Sequence, residues 1–185
     1  MTGQEQPAAA IAFIGLGANL GDRLANLQAA VRALAGHGTV RAVSSLYATA
    51  PVGVEEQPEF LNAALQLDTA LTPEALLGAL LAIERSLGRD RSQSPPKGPR
   101  TLDLDLLFYG DRVLGVPGLT LPHPSLHQRR FVLAPLAEIA PTLRHPTLGS
   151  TMQQLLDALP DAGPNRTAAV RRTGLLAFQP TSSTP

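Results

Sequence analysis

One stretch constrains the fold more than any other: Thr101-Leu102-Asp103-Leu104-Asp105-Leu106-Leu107. Apolar and polar side chains alternate with a period of two, the pattern of a β-strand with one buried face rather than of a helix. Leu102, Leu104 and Leu106 then enter a core, while Asp103 and Asp105 leave the opposite face together, about 7 Å apart along the chain. Aspartate is a poor strand former, and neighbouring carboxylates repel. A cation between them removes that repulsion. Oxygen donors with no histidine or cysteine beside them suit Mg²⁺, which takes one or two carboxylates and completes its shell with water and phosphate oxygens. Taken alone, the pair also fits two exposed acids at a sheet edge.

The other elements follow from periodicity and punctuation. Residues 1–9 form a flexible lead-in. Residues 11–16 are a short apolar run bounded by glycine, suited to a central strand. Asp22 is placed to cap a helix in which Leu24, Leu27, Val31 and Leu34 keep helical spacing, and Gly36 to Gly38 end it. Residues 40–52 read as a strand and 53–58 as a loop. In residues 60–69, Leu61, Ala63, Leu65 and Leu67 alternate against Asn62, Gln66 and Asp68. Thr72-Pro73 opens a second helix with Leu76, Leu77, Leu80, Leu81 and Leu87 on its apolar face, closed by Gly88.

With a strand over 101–109 the order is β-α-β-β-α-β, the ferredoxin-like pattern of the α+β class. It predicts an antiparallel sheet with both helices on one face, leaving the other face for a site. Residues 113–114 and 119–121 suit an added hairpin, and 128–139 and 152–159 suit short helices. Beyond Pro160 the chain turns to Ala, Thr, Ser, Pro and Arg without period. The expected organisation is one domain over residues 10–160 and a disordered tail over 161–185.

Composition removes several classes of function. The 185 residues are 44% hydrophobic and 16% charged, as in a globular domain. No apolar run reaches the roughly 18–20 residues that cross a bilayer, and no signal-peptide pattern opens the chain. Cysteine is absent, which excludes disulfides and thiolate metal sites and agrees with a cytoplasmic location. Fifteen basic residues balance fifteen acidic ones, so nothing favours a nucleic acid or a membrane surface. Locally the balance fails: Arg85, Arg89, Arg91, Lys97 and Arg100 stand against Asp90 alone between residues 85 and 100. An isolated basic loop fits solvent as well as it fits a small anion. Directly before an aspartate pair it acquires a purpose, because a bound triphosphate needs both metal and guanidinium neutralisation.

Two further segments carry polar chemistry. His123, Arg129 and Arg130 could donate to phosphates, although each alone also reads as a surface residue. Phe60 beside Asn62 pairs a ring with an amide, suiting a flat heterocycle with hydrogen-bonding edges; an ordinary strand after a turn fits equally.

Four motifs stand in one order: Gly15-Leu16-Gly17-Ala18-Asn19-Leu20-Gly21-Asp22, Pro58-Glu59-Phe60-Leu61-Asn62-Ala63, Gly98-Pro99-Arg100-Thr101-Leu102-Asp103-Leu104-Asp105, and Pro122-His123-Pro124. From about residue 11 to 143 the chain resembles the 6-hydroxymethyl-7,8-dihydropterin pyrophosphokinases. The resemblance implies a ferredoxin-like monomer that moves the terminal diphosphate of MgATP onto the hydroxyl of the reduced pterin, a step in folate synthesis. It implies two Mg²⁺ ions on Asp103 and Asp105, with Arg89, Arg91 and Arg100 as catalytic cations. ATP contacts are implied for Glu84, Arg91, Arg100, His123 and Arg129. Pterin contacts are implied for Thr49, Ala50, Pro51, Val52, Phe60, Asn62 and Phe131, the two rings sandwiching the heterocycle. The family commonly has an aromatic residue before Gly-Pro-Arg; here Lys97 stands there, after Pro95-Pro96 in a loop about one residue longer.

Two alternatives share parts of the pattern. A palm-type nucleotidyltransferase also presents paired aspartates on a sheet, and would release pyrophosphate. A ferredoxin-like RNA-binding module needs exposed aromatics and a basic sheet, whereas aromatic residues are only 4% and the charges on this sheet are acidic.

Overall fold

The computed structural model describes residues 9–50, 57–89, 98–160 and 170–177. Its element order is β1 Ala10–Ala18, α1 Arg23–Leu34, β2 Thr39–Val43, β3 Ser45–Thr49, β4 Phe60–Thr69, α2 Pro73–Ser86, β5 Asp103–Tyr109, β6 Leu114–Val116, β7 Leu119–Leu121, α3 Arg130–Ile139, α4 Met152–Ala158 and β8 Arg171–Leu175. The main sheet runs β5-β1-β4-β3-β8, with β2 also paired to β4. Every pairing in it is antiparallel, which is the ferredoxin-like arrangement expected from the pattern.

Helix boundaries sit where local chemistry puts them. The Asp22 carboxylate accepts from the Ala25 N–H, and the Thr72 hydroxyl accepts from the Ala75 N–H ahead of Pro73. Gly88, at φ 85°, takes the left-handed conformation that ends α2. Thr151 and Gln154 form a reciprocal capping box at α4.

The alternation of the strands sorts side chains into two cores. Ile14, Leu16, Leu65, Leu67, Leu104 and Leu106 pack under α1 and α2. Phe13, Ala64, Leu107 and Phe108 face the other way and meet Leu133, Leu136 and Met152 of α3 and α4. A register shift between Phe13 and Ile14 lets Leu107 and Phe108 both enter this second core. The short helices therefore cover part of the face that the sequence left open. The remainder of that face carries the site.

Two expectations are corrected. The single strand read over residues 40–52 is broken at Ser44, with β2 and β3 lying along one edge of β4. Ser44 donates its N–H to the Ala64 carbonyl, and its hydroxyl accepts from the Ala64 N–H, both at 2.9 Å. A side chain thus stands in for a ladder group and kinks the strand. Within the tail read over 161–185, Arg171–Leu175 forms β8 against β3, and the following Leu176 is 5% exposed. Backbone pairing and one buried leucine fix a segment whose own sequence shows no period. Residues 161–169 and 178–185 lie outside the described residues.

Candidate active site

The site is a trough across three strands. Strand register places Asp103 of β5 opposite Gly17 of β1, and Gly17 opposite Asn62 of β4. One step along, Asp105 lies opposite Gly15, and Gly15 opposite Ala64. Directly paired residues point to the same side of a sheet. The aspartates and the amide therefore share one floor, separated by two strand spacings or roughly 10 Å. Glycine keeps the floor open. A Cβ on Gly17 would stand 3.1 Å from Asn62 Oδ1 and 3.8 Å from Asp103 Cβ.

The resulting cavity, of about 240 Å³, is lined by Thr49, Ala50, Phe60, Asn62, Arg100, Asp103, Asp105, Arg129 and Phe131 among others. All nine were expected site residues. At one end, Asn62 is buried and donates from Nδ2 to Thr49 Oγ1 at 2.8 Å. That bond fixes the amide and leaves its orientation tied to β3. Phe60 and Phe131 stand at the same end, and each has a guanidinium over its ring: Arg100 at 5.3 Å and Arg129 at 5.9 Å from the centroid.

At the other end the carboxylates are surrounded by cations. Arg89 bridges Glu84 and Asp103, and Arg100 Nε stands 3.3 Å from Asp103 Oδ2. Burial and the charge of Asp103 push the Asp105 carboxyl up to about 6, against the pull of Arg129 and Arg100. Two acids that resist sharing a charge on one strand form a site that a cation stabilises. Among the described residues no group of three or more His, Cys, Asp or Glu side chains could hold a metal ion. Two carboxylates with room for phosphate oxygens are the donor set that Mg²⁺ accepts, so the residues present fit it.

Glu84, expected to contact ATP, also ties the backbone of β5. It is 1% exposed, behind β5 and away from the cavity lining; its Oε1 accepts the Leu104 N–H at 2.8 Å as well as Arg89. The strand segment between the two aspartates is thereby tied to α2. His123 also stands off the lining. Its N–H donates to the Leu107 carbonyl, and burial, then Arg129, holds its ring below the usual histidine range. Arg130, read as a possible phosphate donor, instead donates to the Leu156 and Leu159 carbonyls at the end of α4. Pro51, Val52, Arg91, Pro95, Pro96 and Lys97 lie outside the described residues.

Several site residues were not singled out from sequence. Gly15 and Gly17 line the cavity, and glycine at alternate positions of a strand is itself a signal of close approach. Asn19 is 1% exposed and joins three segments: Nδ2 donates to Gln57 Oε1 and the Pro58 carbonyl, and Oδ1 accepts from Arg100 N–H at 2.7 Å.

Carboxylates for a metal at one end, guanidinium groups between, and an aromatic slot with a fixed amide at the other end make a pocket for a phosphoryl-type transfer to a flat heterocycle. The comparisons with known proteins make that class specific. Residues 13–141 match the family described as 7,8-dihydro-6-hydroxymethylpterin-pyrophosphokinase. A 2-amino-4-hydroxy-6-hydroxymethyldihydropteridine pyrophosphokinase of Synechocystis is 47% identical over 148 residues, 79% of this chain and 74% of the relative. The proteins of the same name from Pseudomonas aeruginosa and Bacillus subtilis are 44% and 48% identical, over 83% and 70% of this chain and 94% and 77% of their own lengths. Among solved structures, a Plasmodium falciparum HPPK-DHPS chain matches 83% of this chain and 46% of its own length with a TM-score of 0.69 at 16% identity, which establishes the shared fold. The chain belongs to the 7,8-dihydro-6-hydroxymethylpterin pyrophosphokinase family.

Proposed function

We propose that this trough moves the terminal diphosphate of MgATP onto the hydroxyl of 6-hydroxymethyl-7,8-dihydropterin, giving AMP and the pterin diphosphate in folate synthesis. The observation that carries the reading is the row Asp103–Gly17–Asn62. It sets a carboxylate and an amide on one floor with only a glycine between them, which supports a metal at one end, a heterocycle at the other and the β-phosphorus between.

Asn62, held by Thr49, reads the polar edge of the pterin, and Phe60 and Phe131 bracket its ring. Arg100 and Arg129, each standing over one of these rings, serve the phosphates. Asp103 and Asp105 hold two Mg²⁺ ions, whose chemistry is to neutralise the triphosphate and the leaving α-phosphate. The pterin hydroxyl oxygen bonds to the β-phosphorus in line, the bond from that phosphorus to the α,β-bridging oxygen breaks, and the hydroxyl proton passes to solvent. Among the described residues no side chain stands out as a strong base. Rate therefore comes from positioning and charge neutralisation. Arg89 adds to the cationic wall, with His123 at its margin, and the family resemblance assigns Arg91 to the phosphates as well. The same reading takes the enzyme as a cytoplasmic monomer. Among the described residues no helix is long and apolar enough to cross a membrane.

The decisive experiment incubates the protein with ATP, Mg²⁺ and the pterin alcohol and follows adenine nucleotides by chromatography. AMP appearing in step with pterin diphosphate is expected. ADP would make it an ordinary kinase, and pyrophosphate a nucleotidyltransferase. Asp103→Ala or Asp105→Ala should keep the fold, by circular dichroism, and lose about a hundredfold or more of turnover.

A further inference from the structure

Strand β8 touches the wall of the site without entering it. β3 is short, and three of its residues, Tyr47, Ala48 and Thr49, pair with β4. On its other edge β8 pairs with Ser45, Leu46, Tyr47 and Ala48. Arg172 of β8 donates from Nε to Ser45 Oγ at 2.7 Å and from Nη2 to Glu138 Oε1 at 3.1 Å. Glu138 belongs to α3 and accepts in addition from Ser45 N–H, Ser45 Oγ and Tyr47 Oη. Burial and this carboxylate hold the Tyr47 hydroxyl up at about 12, so it remains a donor at neutral pH. Arg171 reaches across β3 to Glu59 at 3.5 Å. On the opposite side of the sheet Leu176 is buried in the core that also contains Leu46.

These contacts converge on three structures that carry the aromatic end of the cavity. Thr49 and Ala50 continue β3, Phe60 follows Glu59, and Phe131 lies in the first turn of the helix that Glu138 anchors. None of them reaches Asp103, Asp105 or Arg89. We propose that β8 is a positioning strap for the pterin end of the site: it keeps β3 an interior strand and, through Arg172, braces the Glu138 carboxylate and Ser45 hydroxyl by which α3 is tied to β3. The inference rests on the function proposed above and assigns the strap to one substrate only. An edge strand frays because one row of its backbone groups has no protein partner. Without β8, β3 becomes an edge strand beside the Thr49–Asn62 bond and Glu138 keeps β3 but loses Arg172, whereas the β5 aspartates, on the far side of β1 and β4, keep all their support.

The test compares the full chain with a variant ending after residue 169, using titration calorimetry with Mg²⁺ and a non-hydrolysable ATP analogue, then with the pterin alcohol added to that complex. The truncated protein should bind the analogue within about twofold of the full chain and the pterin about fivefold or more weaker, a loss on the order of 1 kcal/mol. A peptide of residues 170–177 added in trans should restore part of the pterin affinity. Should the truncated protein not fold, Arg172→Ala in the full chain carries the same expectation at about twofold or more. A folded variant with unchanged pterin affinity, or one losing both ligands equally, overturns the strap. A full chain that binds the ATP analogue but never the pterin overturns the functional reading, and the strap with it.

Discussion

Asp105 is where the fold and the function oppose each other, and replacing it by asparagine measures the conflict. In the folded chain its carboxyl titrates near 6 rather than at the ordinary 3.8, because burial and then Asp103 disfavour the charge more than Arg129 and Arg100 favour it. The difference of about two units corresponds to about 3 kcal/mol against the folded state when the group is ionised in both states. The sign follows from the raised value. Well below 3.8 the group is protonated whether folded or unfolded and costs nothing. Between 3.8 and 6 the unfolded chain ionises the group while the folded chain still holds its proton, so stability is lost across that window; above 6 both are ionised and the whole penalty is present.

Asp105→Asn, neutral at every pH, should therefore lie within about 1 kcal/mol of the wild type at pH 4 and exceed it by about 3 kcal/mol at pH 8. For a chain of this size that is a rise of about 6–12 °C in Tm. Urea unfolding at pH 4, 6 and 8, in chelator and without nucleotide, reads the gap directly. Mg²⁺ with a non-hydrolysable ATP analogue should then narrow it, because ligand bound to the folded wild type stabilises that protein and the variant has lost a ligating oxygen. A variant no more stable than wild type at pH 8, or a gap of the same size at pH 4, would refute the reasoning.

Three other outcomes follow from particular contacts. Gly17→Ala places a methyl group 3.1 Å from Asn62 Oδ1, so pterin affinity should fall about tenfold by calorimetry while the melting temperature moves little. Asn62→Ala removes the amide and frees Thr49 Oγ1; pterin binding should weaken by about 1–3 kcal/mol with ATP-analogue binding unchanged, and equal losses would sink the assignment. Glu84→Gln breaks a buried pair with Arg89, which should cost about 3 kcal/mol or more in urea unfolding. Glu84→Ala should cost more, since the Leu104 N–H then loses its acceptor as well.

The parts of this protein legible in its sequence are those in which one side chain reports one environment. Leucine alternating with aspartate gives the strand, its buried face and the carboxylate pair on the cavity floor in seven residues, and capping residues place α1 and α2 nearly to the residue. Cooperative placements left no such mark. A serine that takes over a backbone role at residue 44 looks like any other polar residue within a strand. β8 has five exposed residues, and its order derives from a neighbour's backbone, one arginine and a leucine beyond its end. Glu84 falls where a helix pattern allows a surface charge, yet it is buried because Arg89 and a strand N–H converge on it. Arg130 and Arg129 are adjacent in sequence, but only Arg129 lines the cavity, since α3 begins at Arg130 and turns that side chain toward α4. Chemical type was therefore enough to pick out residues that line the cavity. Which of two neighbouring arginines would serve them was decided by where a helix starts, and the sequence places that boundary only to within a few residues.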